Sequence, residues 1–206
     1  MKINKHLLLL ILILAFLGYS RLPGAKNDII VENAKRYITL WSTGDIYEAV
    51  ERYWDVSYFV NELLGSDIKK IRTHEKIYLK QITQLFLKTS LSAKPILSLL
   101  KKCKFEDFKF HGNEHGLSIV SFNLVFPNSN TKETKRIYFQ ECSNKWKIVD
   151  VMNEGKRMTD LLKQIYQTVK KNDPNFNKIT LFEIYLLNAL KTKLKLDGVP
   201  EKVINQ

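Results

Sequence analysis

The chain has 206 residues, of which 45% are hydrophobic and 26% charged, and its formal net charge is +12. That is enough apolar material for one domain with a real core, and it excludes an intrinsically disordered chain. The basic balance points to acidic partners, namely nucleic acid in the cytosol, or anionic lipid headgroups, acidic proteins or acidic polymers outside it. Lysine is spread along the whole chain, so a solvated helix surface accounts for the charge equally well.

Residues 1–20 read as a separate object. Lys2, Lys5 and His6 precede an unbroken apolar run from Leu7 to Leu17, then Gly18-Tyr19-Ser20. A basic start, a short apolar stretch and small residues at a cut site make a secretory signal peptide, with cleavage after Ser20. The run is short for a membrane span of roughly 20 residues, although an uncleaved N-terminal anchor remains an alternative. The mature protein is therefore expected to be exported, periplasmic and soluble, and nucleic acid drops out as a partner. One domain over 27–198 and a tail over 199–206 follow.

Ile30, Ala34, Tyr37, Ile38 and Trp41 share one face of a first helix that stops at Ser42-Thr43-Gly44. Asp45 and Glu48 open a second, carrying Ala49, Val50 and Tyr53. Asp55 or Ser57 caps a third, with Phe59, Val60, Leu63 and Leu64 inward and Gly65 as its stop. Thr73 starts a long helix with Leu79, Ile82 and Phe86 inward. Pro95 suits the first turn of a short one ending near Cys103.

The period then changes from helix to strand. Phe108 and Phe110 alternate before a turn at Gly112-Asn113. Val120, Phe122, Leu124 and Phe126 share a face, opposite Ile119, Ser121, Asn123 and Val125. Turns at Pro127–Asn130 and Ser143-Asn144 separate two more strands, the first with Ile137 and Phe139, the second with Trp146 and Ile148. Short connections make an antiparallel meander of about four strands. Two helices close the chain. The second is read as starting at a Thr180/Glu183 capping box, with Ile184, Leu187, Leu190 and Leu194 inward and Gly198 and Pro200 ending it. Helices first and an antiparallel sheet after give an α+β domain.

Catalytic and metal chemistry is sparse. His111, His115 and Glu114 flank a turn and do not make a ligand set by spacing. No Gly-rich phosphate loop, GxSxG or HExxH occurs. Asp107 and His111 are the one acid–base pair worth a test, as in a small hydrolase or isomerase. Asp150 and Glu154 sit at a strand-to-helix join and suit capping and helix-dipole work. Cys103 and Cys142 fall at opposite ends of a meander, too far apart for a disulfide, so free thiols are expected. No cofactor is expected, and the protein is read as a non-enzyme.

"WKIVDVMNEG", Trp146 to Gly155, followed by an amphipathic helix with Tyr166, resembles the signature of the MlaC (toluene-tolerance) family. "WDVSYFVNELLG", Trp54 to Gly65, and "RTHEKIYLKQITQLF", Arg72 to Phe86, are similar to its preceding helices. The likeness spans about Glu32 to Val169. The family usually carries an aromatic pair where Ser66-Asp67-Ile68 stands here. "AKRYITLWSTGDIYEAV" also resembles the start of nuclear-transport-factor-two-like domains, a cone of helices on a curved sheet.

The resemblance implies a phospholipid carrier auxiliary to an ABC-type lipid transport system, with membrane-embedded complexes as partners and an anionic membrane surface as a further one. It implies a pocket between sheet and helices. The candidates for its lining are Phe59, Leu63, Leu79, Ile82 and Phe86 from helices, and Phe110, Val120, Phe122, Leu124, Tyr138, Trp146 and Ile148 from strands. Met158, Leu162 and Ile165 would close it. Burying a methylene is worth about 0.8 kcal/mol, so a chain of about 16 carbons grosses on the order of 12 kcal/mol. The alternative is an exported interaction or assembly domain of the same fold with a filled core.

Overall fold

The structure, a computed structural model, describes residues 23–127, 131–153, 155–173 and 176–200. The signal peptide, Asn128–Asn130, Glu154 and the end of the tail lie outside the described residues. Among the described residues, seven helices, a 3-10 turn and a five-stranded sheet follow in order. They are α1 Pro23–Thr43, α2 Ile46–Tyr53, α3 Val56–Leu64, the 3-10 turn Gly65–Lys70, α4 Thr73–Leu91 and α5 Lys94–Leu100. Then come β1 Lys104–Glu114, β2 Leu117–Val125, β3 Lys132–Cys142, β4 Lys145–Asn153, β5 Lys156–Arg157, α6 Met158–Asn172 and α7 Lys178–Leu196. The fold is α+β, and the sheet, in the order β1-β2-β3-β4-β5, is antiparallel throughout and open.

Two hairpins set the register. His115 and Gly116 both have positive φ (51° and 80°), as do Ser143 and Asn144 (49° and 61°), which is the two-residue turn that matches strand twist. The first of these corrects the turn expected at Gly112-Asn113, which remain inside β1 at a register shift. A second irregularity in β1, between Glu106 and Lys109, places Asp107 at φ 57°. The extra residue there bends the strand.

The inner face of the sheet carries Val120, Phe122, Leu124, Ile137, Phe139 and Ile148. It packs against Ile30, Ala34, Tyr37 and Ile38 of α1, Val50 and Tyr53 of α2, and Leu87 of α4 in the main core. A second core joins α3, α4, α6 and α7 through Leu63, Leu64, Leu79, Ile82, Tyr166, Leu181 and Phe182. Helix α7 runs beside α4 in the same direction. Tyr78 OH donates to Glu183 Oε1 at 2.7 Å near one end, and the Lys94 N–H donates to Asp197 Oδ1 at 2.7 Å at the other.

Two expectations for α7 are corrected. The helix starts at Lys178, three residues early, because the Asn177 side chain accepts from the N–H groups of Ile179 and Thr180 and takes the capping place read for Thr180. Its buried face is Leu181 and Phe182, whereas Ile184, Leu187, Leu190 and Leu194 are exposed. It ends as read, with Gly198 N–H on Lys195 O and Val199 N–H on Leu194 O, the paired bonds of a Schellman stop.

The join between β4 and α6 is built on Asp150. Its carboxylate accepts from the Thr159 hydroxyl and, at 3.2 Å, from the Thr159 N–H, and also from the Val151 N–H at 2.9 Å. A buried carboxylate thus satisfies an otherwise orphaned donor in the first turn of α6. Arg157 forks onto Asp160 with two 2.9 Å bonds and stands 3.9 Å from Asp150. Gly155, at φ 77°, makes the reversal that brings β5 back onto β4.

Candidate functional site: an apolar chamber between helices and sheet

At the sheet end remote from the two hairpins, the helices stand off the strands and leave a cavity of about 320 Å³. Tyr37 and Trp41 come from α1, one helical turn apart. Trp54 follows α2, and α4 contributes Phe86, Leu87, Ser90 and Leu91. The sheet supplies Phe105, Phe122, Leu124, Ile137 and Val151, with Phe126 just beyond β2, and Met152 and Met158 close the side next to α6. Registry explains why these meet: Phe105 pairs with Leu124, Leu124 with Glu133, and Ile137 with both Val120 and Val151.

The aromatic walls keep their polar ends out of the cavity's chemistry. Trp54 Nε1–H donates to Tyr37 OH at 3.3 Å, and Trp41 Nε1–H to the Leu91 carbonyl at 3.4 Å. Burial pushes the Tyr37 phenol up to about 12, so it stays neutral. The charged residues of the lining are Glu133, Lys135 and Arg136, all on β3. Lys135 Nζ lies 2.7 Å from Glu133 Oε2. A mostly apolar lining with charge gathered on one strand suits an amphiphile with an apolar chain and an ionic head.

The acid–base pair read for Asp107 and His111 is not formed. Asp107 Oδ2 accepts from Asn123 Nδ2 at 2.9 Å, while His111 Nε2 faces Ser121 Oγ at 2.6 Å, so the two do not pair. Among the described residues no three His, Cys, Asp or Glu side chains converge as metal ligands. Cys103 and Cys142 are free. Burial and a 3.0 Å hydrogen bond to Asp55 Oδ2 push the Cys142 thiol up to about 11, away from nucleophilic reactivity.

Of the fifteen lining candidates, Phe86, Phe122, Leu124 and Met158 line the chamber. Phe59, Phe110, Val120, Trp146 and Ile148 belong to the same core but pack beside it, Trp146 with the Lys26 ammonium 4.7 Å above its ring. Leu63, Leu79 and Ile82 fill the second core, and Leu162 packs against both cores. The last two candidates lie outside both of these cores. Tyr138 falls on the opposite face of the sheet, with Leu117, Ile119 and Val149, because the β3 pleat puts it out of phase with Ile137. Ile165 is 47% exposed, since Tyr166 takes the inward position on α6. Tyr37, Trp41, Trp54, Phe105 and Val151 are lining residues that were not anticipated. Distance along the strands from the two hairpin turns finds Phe105 and Val151, whereas Tyr37, Trp41 and Trp54 come from the helical layer and carry no such signal.

No protein-family model matches the chain, and no curated protein does so by sequence. Among solved structures, the fold is similar to a phospholipid-binding protein from Ralstonia solanacearum, whose structure was determined in complex with a phospholipid. The TM-score is 0.58 at 12% sequence identity, with 79% of this chain and 97% of that one covered. The chain shares the α+β fold of a protein that holds a phospholipid.

Proposed function

We propose that the protein is an exported, non-enzymatic phospholipid carrier of the MlaC type, which receives and delivers its lipid at the membrane-embedded complexes of an ABC-type lipid transport system. The observation that carries this reading is the chamber of about 320 Å³ beneath Tyr37, Trp41 and Phe122, an apolar void within an otherwise packed core. Protein cores pack to near-crystalline density with few voids larger than a water molecule. The chamber also weighs against the alternative of a filled interaction domain. The likeness of fold to a phospholipid-binding protein supports the same ligand class. Transfer needs no covalent step, because burial of the acyl chain supplies the affinity and opening of the helix–sheet contact releases it. Lys135 and Arg136 are the two cations of the lining and the groups that would meet a phosphate headgroup, and the basic surface favours approach to anionic membranes.

The test fills the chamber without touching its rim. Val151→Trp places an indole into the void from β4. Wild-type protein mixed with vesicles of phosphatidylethanolamine and phosphatidylglycerol should extract lipid, and the variant should extract about tenfold less while keeping a cooperative unfolding transition. Equal extraction by both proteins would place the lipid elsewhere or nowhere.

A further inference from the structure

Helix α7 is apolar on two sides. Leu181 and Phe182 are buried on its inner side, and Ile184, Leu187, Leu190 and Leu194 stand 37–50% exposed on the other. Leu187 and Leu194 are two helical turns apart, so they mark the centre of one stripe, with Ile184 and Leu190 on its flanks. A surface helix turns polar residues outward, and an apolar face of this length marks a place where something else lies against the protein.

The charge on α7 says what that is. The helix carries Lys178, Lys191, Lys193 and Lys195 against one acidic residue, Glu183. Glu183 already accepts from Tyr78 OH, and Lys193 pairs with Asp197. Lys191 follows Leu187 by one turn and Lys195 follows Lys191 by one more, which sets both along the edge of the stripe. Aliphatic side chains bordered by lysines, whose apolar stems add to the stripe and whose heads reach past it, are the pattern of a helix lying in an anionic bilayer surface. A second copy of the chain fits less well. Apposed α7 faces would bring like-charged lysines together, and each partner of a stable protein interface contributes roughly 20–30 residues, several times what the stripe offers.

We infer that the outward stripe of α7 is a docking surface for an anionic lipid bilayer. Ile184, Leu187, Leu190 and Leu194 enter the headgroup boundary, and Lys191 and Lys195 meet the lipid phosphates. The inference rests on the carrier reading above for its purpose and adds to it the element that meets the membrane. Phe86 and Ser90 of α4 line both the sheet chamber and a cleft walled on its far side by Ala189 and Leu196 of α7. With α7 on the bilayer, α4 is the layer between membrane and chamber.

The mature chain, from Arg21 onward, is floated with vesicles of phosphatidylethanolamine and phosphatidylglycerol and, separately, of phosphatidylcholine, while sedimentation velocity reads its oligomeric state. Wild type should be a monomer that binds the anionic vesicles at least about tenfold more tightly than the neutral ones. Leu187→Ser with Leu194→Ser should cut anionic binding about tenfold, and so should Lys191→Gln with Lys195→Gln. Lys109→Gln with Lys145→Gln removes the same charge from exposed positions on the sheet and should leave binding close to wild type. All three variants should keep a cooperative unfolding transition. Wild-type binding by both α7 variants would overturn the docking surface, as would an equal loss in the sheet variant. A wild-type dimer that the leucine variant turns into a monomer would overturn it in favour of a second copy. Uptake of a soluble short-chain phosphatidylglycerol, read by native mass spectrometry, should be the same in wild type and the leucine variant; its loss in that variant would overturn the inference by placing the stripe in the lipid site. Its absence from wild type would remove the carrier reading, while flotation lost only in the α7 variants would still establish the docking surface.

Discussion

Asp67 shows how a single side chain ties two remote segments together. It sits in the 3-10 turn after α3, 4% exposed, accepts at 2.8 Å from Tyr166 OH, and pairs with the Lys170 ammonium. The bond from Lys170, then that from Tyr166, lowers its pKa from 3.8 to about 2, while burial first and Asp67 second raise that of Tyr166. A carboxyl held low in the fold stabilises it only while charged. Its contribution is whole above the unfolded value near 4 and drains away as pH falls through about 2. Asp67→Asn should therefore cost roughly 1–2 kcal/mol at neutral pH, and the gap from wild type should narrow near pH 2, as read by urea unfolding at both pH values. The cysteines permit a second check at this scale. Burial raises both thiols, Cys142 to about 11, so two thiols should label slowly in native protein at pH 8 and rapidly in urea; a failure to label in urea would reveal a disulfide. Position alone offers Asp55 or Ser57 as the cap of α3, and the structure selects Asp55; it suggests capping for Asp150 from the strand-to-helix join, and Asp150 does so from within β4 by reaching Thr159. The role of Asp67 was not legible, because its partners lie about 100 residues away in the sequence.

Elements were legible where a local signal was singular. Glycine and asparagine turns marked most strand ends, and Asp55, Thr73 and Pro95 marked helix starts. They were not where signals competed. Helix α7 has apolar residues on every side, from Ile179 through Leu196, so period alone cannot choose its buried face; packing against α4 and α6 does. This choice can be tested. Phe182→Ala should cost about 3–5 kcal/mol, as a large side chain leaving a packed core does. Leu187→Ser, at a position 50% exposed, should change stability by no more than about 0.5 kcal/mol. Comparable losses from both would restore the face that the Thr180/Glu183 reading favoured. The turn in β1 went astray for a similar reason: Gly112-Asn113 and His115-Gly116 both suit a hairpin, and only pairing with β2 selects the second.

At the scale of the whole molecule, the sequence carries the α+β order, the meander and a surplus of aromatic residues on the inner strands. It does not carry the chamber. Leu79 and Ile82 recur at the same spacing as Phe86, yet the first two are packed in the second core and the third borders a void. Volume left unfilled belongs to the way α1 and α4 stand off the sheet, and no local pattern encodes it. The most direct measurement is native mass spectrometry, beside organic extraction, of the chain from Arg21 onward purified from a Gram-negative periplasm. The expected result is a protein carrying stoichiometric phospholipid. A clean apo mass, with no lipid acquired from vesicles, would contradict a carrier and leave the chamber without an occupant.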